Sequence, residues 1–167
     1  GWLAVALLAA VLPFMISMGM HKALVPYGVA AISDPGFEML YLPASLAHNI
    51  SEGGACLGVA LKTKDENLRA TAISAGISGL FGITEPAIFG VNLRYFKPFL
   101  GGLLGGACGA WYASIVGLGA TGTGVTGIFG ILLHLHMPLQ YIIMMAISFG
   151  VSFAVTWLIW SPEEVKA

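Results

Sequence analysis

From Pro98 to Pro162 the chain contains no Asp, Glu, Lys or Arg. Uncharged apolar stretches of at least about 18 residues read as membrane-spanning candidates, and this run has room for two. The rest of the chain shares the bias. It is 57% hydrophobic and only 9% charged, with a mean hydropathy of +0.88, where soluble domains carry about 25% charged residues. That balance argues against the buried core of a large soluble complex. The net charge of -1 offers no basic footprint for nucleic acid. Cys56 and Cys108 stand in Gly/Ala surroundings with neither a CxxC nor a metal spacing, so they read as small buried hydrophobes. Gly1 already lies inside an apolar segment, and the chain is expected to be a piece of a longer polypeptide, of the size of one transporter bundle.

The stretches are helix-length, which makes the expected fold an all-α polytopic membrane protein. Trp2 to Met20 is the first apolar stretch, interrupted by Pro13. Val25 to Glu38, with Pro26, Pro35 and Asp34, reads as irregular or interfacial backbone. Leu42 to Leu61 is again helix-length, but His48, Asn49, Ser51 and Glu52 make it too polar to face lipid all round. Phe99 to Leu118 carries Gly101, Gly102, Gly105, Gly106 and Gly109, three overlapping GxxxG pairs that predict a close helix-packing face. Gly119 to Gly130 reads as a Gly-rich connector, and His134 and His136 as interfacial, since two histidines are too few for a zinc site. Gln140 to Trp160 predicts the last span, with Trp157 and Trp160 as its aromatic belt.

Lys62 to Arg69 is the one sizeable hydrophilic loop and holds three of the seven basic residues; Arg94 to Lys97 is the next basic cluster. The positive-inside rule places both in the cytoplasm. The segment between them breaks at Gly82 and Pro86 into arms of roughly a dozen residues, too short to cross a core of about 30 Å. A re-entrant hairpin with its tip at Gly82 to Pro86 satisfies both observations. Irregular backbone at such depth must be buried in protein or line a watery cavity.

Glu85 stands on that tip as the lone charge between Arg69 and Arg94. A carboxylate at the centre of a bilayer costs about 2.5–3.5 kcal/mol even on insertion scales, which points to a ligand, a proton or a partner. Its competing role is to cap the backbone amides of a broken helix. His21 ends the first apolar stretch and could donate to a solute or pair with Glu85. His48 and Glu52, at i and i+4, share a helical face with which they could line the same cavity. One carboxylate, a few imidazoles, an Asn and open amides suit an uncharged polyhydroxylated solute better than an inorganic ion. There is no GxxxxGK[ST], GxSxG or HExxH motif, and neither a cofactor nor a metal is expected.

Gly82-Ile-Thr-Glu-Pro-Ala-Ile-Phe-Gly-Val-Asn-Leu93 closely resembles the signature of the membrane EIIC component of the bacterial phosphoenolpyruvate-dependent phosphotransferase system, glucose superfamily, in its β-glucoside, sucrose and trehalose branch. Met18-Gly19-Met20-His21 resembles that family's Gly-Met-His segment. Asn49-Ile50-Ser51-Glu52-Gly53-Gly54-Ala55, running into Leu61-Lys62-Thr63-Lys64, resembles its Asn-Ile-Ala-Gln-Gly-Gly-Ala…Leu-Lys-Thr-Lys segment, with Glu52 standing where the family commonly has Gln.

The resemblance implies that residues 1–162 are the C-terminal, sugar-transporting part of an EIIC domain and residues 163–167 a cytoplasmic tail or linker. It implies that Glu85 and His21 hydrogen-bond the sugar, with Asn49 and Thr84 as supporting contacts and Glu52 and His48 as further candidates. It also implies EIIB and EIIA partners that supply the phosphoryl group, a preceding EIIC half through which the permease dimerises, and a bacterial inner-membrane, multi-pass location among lipid. The translocator itself carries no phosphoryl-accepting Cys or His. The alternative is an ion-coupled secondary transporter with Glu85 as the ion or proton site.

Overall fold

The computed structural model describes residues 1–34, 36–124 and 126–163. Among them every regular element is helical, as expected for an all-α chain. The nearest thing to a strand is one antiparallel bridge between Glu38 and Ala120. The helices are α1 (Trp2–Ser17), α2 (Val25–Ser33), α3 (Tyr41–Lys62), α4 (Glu66–Leu80), α5 (Glu85–Ala87), α6 (Leu93–Tyr95), α7 (Lys97–Ile115) and α8 (Pro138–Ile159). Turns of 3-10 helix cover Met20–Leu24 and Gly127–His134, and a π turn, Ile88–Asn92, joins α5 to α6.

α3 is the axis of the bundle. Seventeen of its 22 residues are buried, and it packs against α1, α4, α7 and α8. Small residues make this possible. A Cβ added at Gly53 would lie 2.8 Å from the carbonyl oxygen of Gly76, and one at Gly79 would lie 3.1 Å from the amide nitrogen of Gly53. α3 and α4 therefore meet backbone to backbone, a proximity that only small side chains allow. The five glycines of α7 are all buried, as a packing face requires, but they form two faces rather than one. Gly101, Gly105 and Gly109 lie against Ser148, Ser152 and Thr156 of α8, while Gly102 and Gly106 lie against Glu52, Ser51 and His48 of α3. Spacing of four residues builds each ridge.

α8 is the one described helix both long enough and apolar enough to cross a membrane, with a mean hydropathy of 2.2 and 22% of that window buried. Its 22 residues extend about 33 Å at 1.5 Å per residue. α1 is apolar but shorter, and it turns Trp2, Leu3, Leu7 and Phe14 outward.

Several local expectations change. Val25–Ser33 is a helix, because Pro26 falls in its first turn, where a missing N–H is harmless. His134 is fully buried rather than interfacial. Its ring stacks on Tyr141 at 4.8 Å, and its Nδ1 lies 2.8 Å from the Gly130 carbonyl oxygen. His136 is exposed. Trp157 is partly exposed, but Trp160 is buried edge-on to Tyr95, so only the former is placed as a belt residue would be. Of the expected tail, residues 164–167 lie outside the described residues, as does Pro35.

Candidate functional site

The hydrophilic loop that starts the Glu85 hairpin is a capping device. The Asp65 side chain accepts the Leu68 amide at 2.7 Å, Thr63 Oγ1 accepts the Asp65 amide at 3.2 Å, and Arg69 donates to the Thr63 carbonyl at 2.7 Å. A short side-chain acceptor at this position satisfies one of the four free N–H groups that open a helix. At the other end of α4, the Gly82 and Ile83 amides donate to the Gly79 and Ser78 carbonyls, each at 2.9 Å. Gly82 then reverses the chain at φ +91°, a conformation favoured by glycine. A Cβ there would meet the Thr126 side chain and lie 3.0 Å from the Gly127 amide. The tip is thus seated on the start of the second 3-10 segment. The returning arm, α5 to α6, packs against α4. The two ends of the hairpin come together, since Asp65, Asn67, Arg94 and Tyr95 line one small cavity of about 230 Å³.

Glu85 opens α5 and is exposed. It makes no capping bond to the backbone, and among the described residues its carboxylate has no hydrogen bond or ion pair. Thr84 beside it is buried, and its carbonyl accepts the Ile88 amide at 2.9 Å. The tip therefore presents a carboxylate with unused lone pairs beside a Thr84 carbonyl that is itself satisfied.

The other candidates lie deeper. His48 and Glu52 are both completely buried on α3, with His48 Nδ1 3.6 Å from Glu52 Oε1. The second carboxylate oxygen of Glu52 accepts from Asn92 Nδ2 at 2.5 Å, and the same Nδ2 lies 3.2 Å from the Glu52 main-chain carbonyl. Cys56 Sγ lies 3.3 Å from Asn92 Oδ1, where its thiol can donate. Both ring nitrogens of His48 and Oε1 of Glu52 lack a hydrogen-bond partner. Half-buried His21 adds an unpartnered Nδ1. Asn49, next along α3, is also buried. The six candidates thus fall into a tip, where Glu85 is exposed and Thr84 buried, and a buried polar pair, His48 and Glu52, with Asn49 on the same α3 segment and half-buried His21 on the turn after α1.

None of the six lines the cavity of about 510 Å³ that Trp2, Val5, Tyr27, Met39, Ser114 and Leu118 help enclose between α1, α2 and the end of α7. Nor do they line the groove of about 460 Å³ between α4 and the returning arm, although Pro86, next to Glu85, does.

Sequence reasoning passed over two residues. Asn92, completely buried in the π turn, holds Glu52; a lone amide in an apolar arm was the available signal. Glu38, also completely buried, accepts the amides of Leu40, Tyr41 and Leu42 and so opens α3. Its position just ahead of a helix-length stretch was the clue.

Comparison with known proteins converges on one family. The family model described as "Phosphotransferase system, EIIC" matches residues 1–106. A sucrose-specific EIIBC component from Salmonella typhimurium is 37% identical over 158 residues, 93% of this chain and 35% of that protein. An arbutin-, cellobiose- and salicin-specific EIIBC component from Escherichia coli is 38% identical over 131 residues, 77% of this chain and 27% of that protein. A β-glucoside-specific EIIBCA component from Bacillus subtilis is 38% identical over 118 residues, 71% of this chain and 19% of that protein. The chain spans about a third or less of the length of these relatives. No solved structure matches it.

Proposed function

The chain belongs to the phosphotransferase-system EIIC family of membrane permeases, and from that premise we propose that residues 1–162 form the C-terminal, sugar-binding part of such a permease. Glu85 carries the proposal. It is an exposed, unpartnered carboxylate on a glycine turn, and it matches the acidic position of the family signature. Glu85 accepts hydrogen bonds from sugar hydroxyls, with His21, Thr84 and Asn49 contributing from around it. His48 and Glu52, both fully buried, support the site from behind.

The α4 hairpin enters and leaves the membrane from the cytoplasmic side. Its 15-residue first arm extends about 22 Å, short of a core of about 30 Å, and residues from its two ends, Asp65, Asn67, Arg94 and Tyr95, share one small cavity. The chain crosses the bacterial inner membrane several times, its outward apolar faces meeting lipid or the preceding half of EIIC, through which the permease dimerises. Names of the relatives, EIIBC and EIIBCA components, support EIIB and EIIA partners on the same polypeptide. EIIB supplies the phosphoryl group; Cys56 is buried and takes no part. Residues from 163 onward form a cytoplasmic tail or linker. The substrate is sucrose, trehalose or a β-glucoside.

Uptake of radiolabelled sucrose, trehalose and a β-glucoside by the full-length permease tests this. Transport of one of them is expected to require phosphoenolpyruvate and to survive an uncoupler. Glu85→Gln is expected to weaken it about 10- to 100-fold at limiting sugar, the size of a lost charged hydrogen bond. Uptake that an uncoupler stops, and that ignores phosphoenolpyruvate, would establish an ion-coupled carrier instead.

A further inference from the structure

Asn92 has no role in the solute contacts above, yet it is one of the most connected polar side chains in the molecule. It is completely buried in the π turn between α5 and α6. A π turn carries one residue more than the α-helical register allows, and such turns sit disproportionately at functional sites. Here the turn brings the Asn92 amide onto α3, where one nitrogen faces two oxygens of the same residue. These are Glu52 Oε2 at 2.5 Å and the Glu52 carbonyl at 3.2 Å. Its oxygen faces Cys56 Sγ, one turn further along α3, at 3.3 Å. Glu52 is in turn enclosed. A Cβ at Gly102 would lie 2.7 Å from its Oε1, so α7 makes room for the carboxylate by carrying glycine at that position. Besides Asn92, the returning arm is tied to α3 by the Cys56 thiol, 3.8 Å from the Ala87 carbonyl oxygen, while its other buried side chains, Ala87, Ile88 and Val91, are apolar. Apolar contacts are non-directional, whereas a buried amide with fixed partners specifies one register.

We propose that Asn92 and Glu52 form a clasp that fixes the register of the returning arm on α3, and that Asn92 is thereby a positioning residue for the Thr84–Glu85 tip. The positioning role rests on the transport function proposed above; the clasp itself does not. Asn92 lies seven positions after Glu85, and the intervening α5 and π turn are continuous helix, so a slip at Asn92 rotates the carboxylate at the tip.

Cys56 reports on the clasp directly, since its thiol is buried against Asn92. In the full-length protein in native membranes, with Cys108→Ala to remove the second thiol of this segment, N-ethylmaleimide labelling of Cys56 is measured for the parent, Asn92→Leu, Glu52→Leu, the double variant and Glu52→Gln. Each leucine variant is expected to label about tenfold faster, and the double variant no faster than the quicker single one, as for two halves of one interaction. Glu52→Gln retains an acceptor for Asn92 and is expected to label within about threefold of the parent. Multiplicative single effects, or Glu52→Gln labelling as fast as Glu52→Leu, would refute the clasp. Should Asn92→Leu fail to reach the membrane, the comparison of Glu52→Gln with Glu52→Leu still decides. Where the parent transports a sugar, Asn92→Leu is expected to raise KM about tenfold with the maximal rate per molecule kept. An unchanged KM would show a clasp with no influence on the tip. A parent that transports none of the three sugars refutes the proposed function and leaves the labelling result standing.

Discussion

Glu38→Ala isolates the contribution of a carboxylate buried at the start of the central helix. In the native chain Glu38 Oε1 accepts the Leu40 amide at 2.7 Å and the Tyr41 amide at 2.8 Å, while Oε2 accepts the Leu42 amide at 2.5 Å. The three losses are unequal. The Leu40 and Tyr41 bonds are only part-buried, and water can replace the carboxylate there. The Leu42 bond is buried, and Leu42 packs with Ala120 and Leu133, so its amide is left without a partner. A hydrogen bond to a charged group contributes about 1.5–3 kcal/mol when its loss is not compensated, and a compensated one a few tenths to about 1 kcal/mol. Together they give about 2–5 kcal/mol. At about 2–4 °C per kcal/mol for a chain of this size, the unfolding midpoint falls by roughly 4–20 °C. Glu38→Gln is the sharper variant. One amide oxygen can serve Leu40 and Tyr41, but the amide NH2 then faces the Leu42 N–H, donor against donor. It is expected to recover less than half of the loss. Thermal unfolding of the purified protein in detergent measures both. A Glu38→Ala variant melting within about 2 °C of the parent, or a Gln variant indistinguishable from it, would refute the assignment of the cap.

Gly105→Ala places a Cβ 2.5 Å from the Ser148 carbonyl oxygen and is expected to destabilise by about 1–3 kcal/mol, whereas Gly150→Ala on α8 has nothing within 4 Å and is expected to be neutral or to stabilise by up to about 1 kcal/mol. Opposite signs in the same thermal assay are the check. Lys62 at the end of α3 donates to the carbonyls of Trp157, in the last turn of α8, and Trp160, just after it. Lys62→Met keeps the apolar stem and is expected to lower stability by about 1 kcal/mol, through the lost cation at a helix C-terminus, with Lys62→Arg largely retaining it.

The bundle was legible where composition alone determines packing. The polar stripe of α3 had to be buried, and the glycines of α7 had to meet other backbones. The chain reversal after α4 was legible from Gly82 and the proline that follows it, while its entry and exit on one side of the membrane belong to the proposed function. Less legible were features that depend on one geometric fact. Val25–Ser33 looked irregular from its Pro and Gly content, yet Pro26 occupies the first turn, where it fits. Glu38 escaped because capping preferences favour short side chains at the N-cap, while this one reaches forward from two residues before it. The π turn has no propensity signature, and the burial of His134 depends on a tyrosine that follows it on α8.

Sorting the ionisable groups by what already occupies their lone pairs sharpens the solute site more than their burial does. From sequence, Glu85 was the leading claimant, with His21, His48 and Glu52 behind it, each an ionisable group in an apolar setting. The carboxylates separate cleanly. Glu38 gives both oxygens to backbone amides, and Glu52 gives one to Asn92 and holds the other 3.6 Å from His48. Both are completely buried, so a solute could reach them only by dismantling what they hold in place. Glu85 holds nothing in place. Its helix forms without its side chain, and its oxygens have no partner among the described residues. A polar group kept in an apolar segment is expensive unless something satisfies it, and the interior carboxylates are satisfied, in whole or in part, by the protein itself. Glu85 is exposed and is left to water or to a solute. In the function proposed above a hydroxyl-rich solute takes that place and leaves the clasp behind it intact.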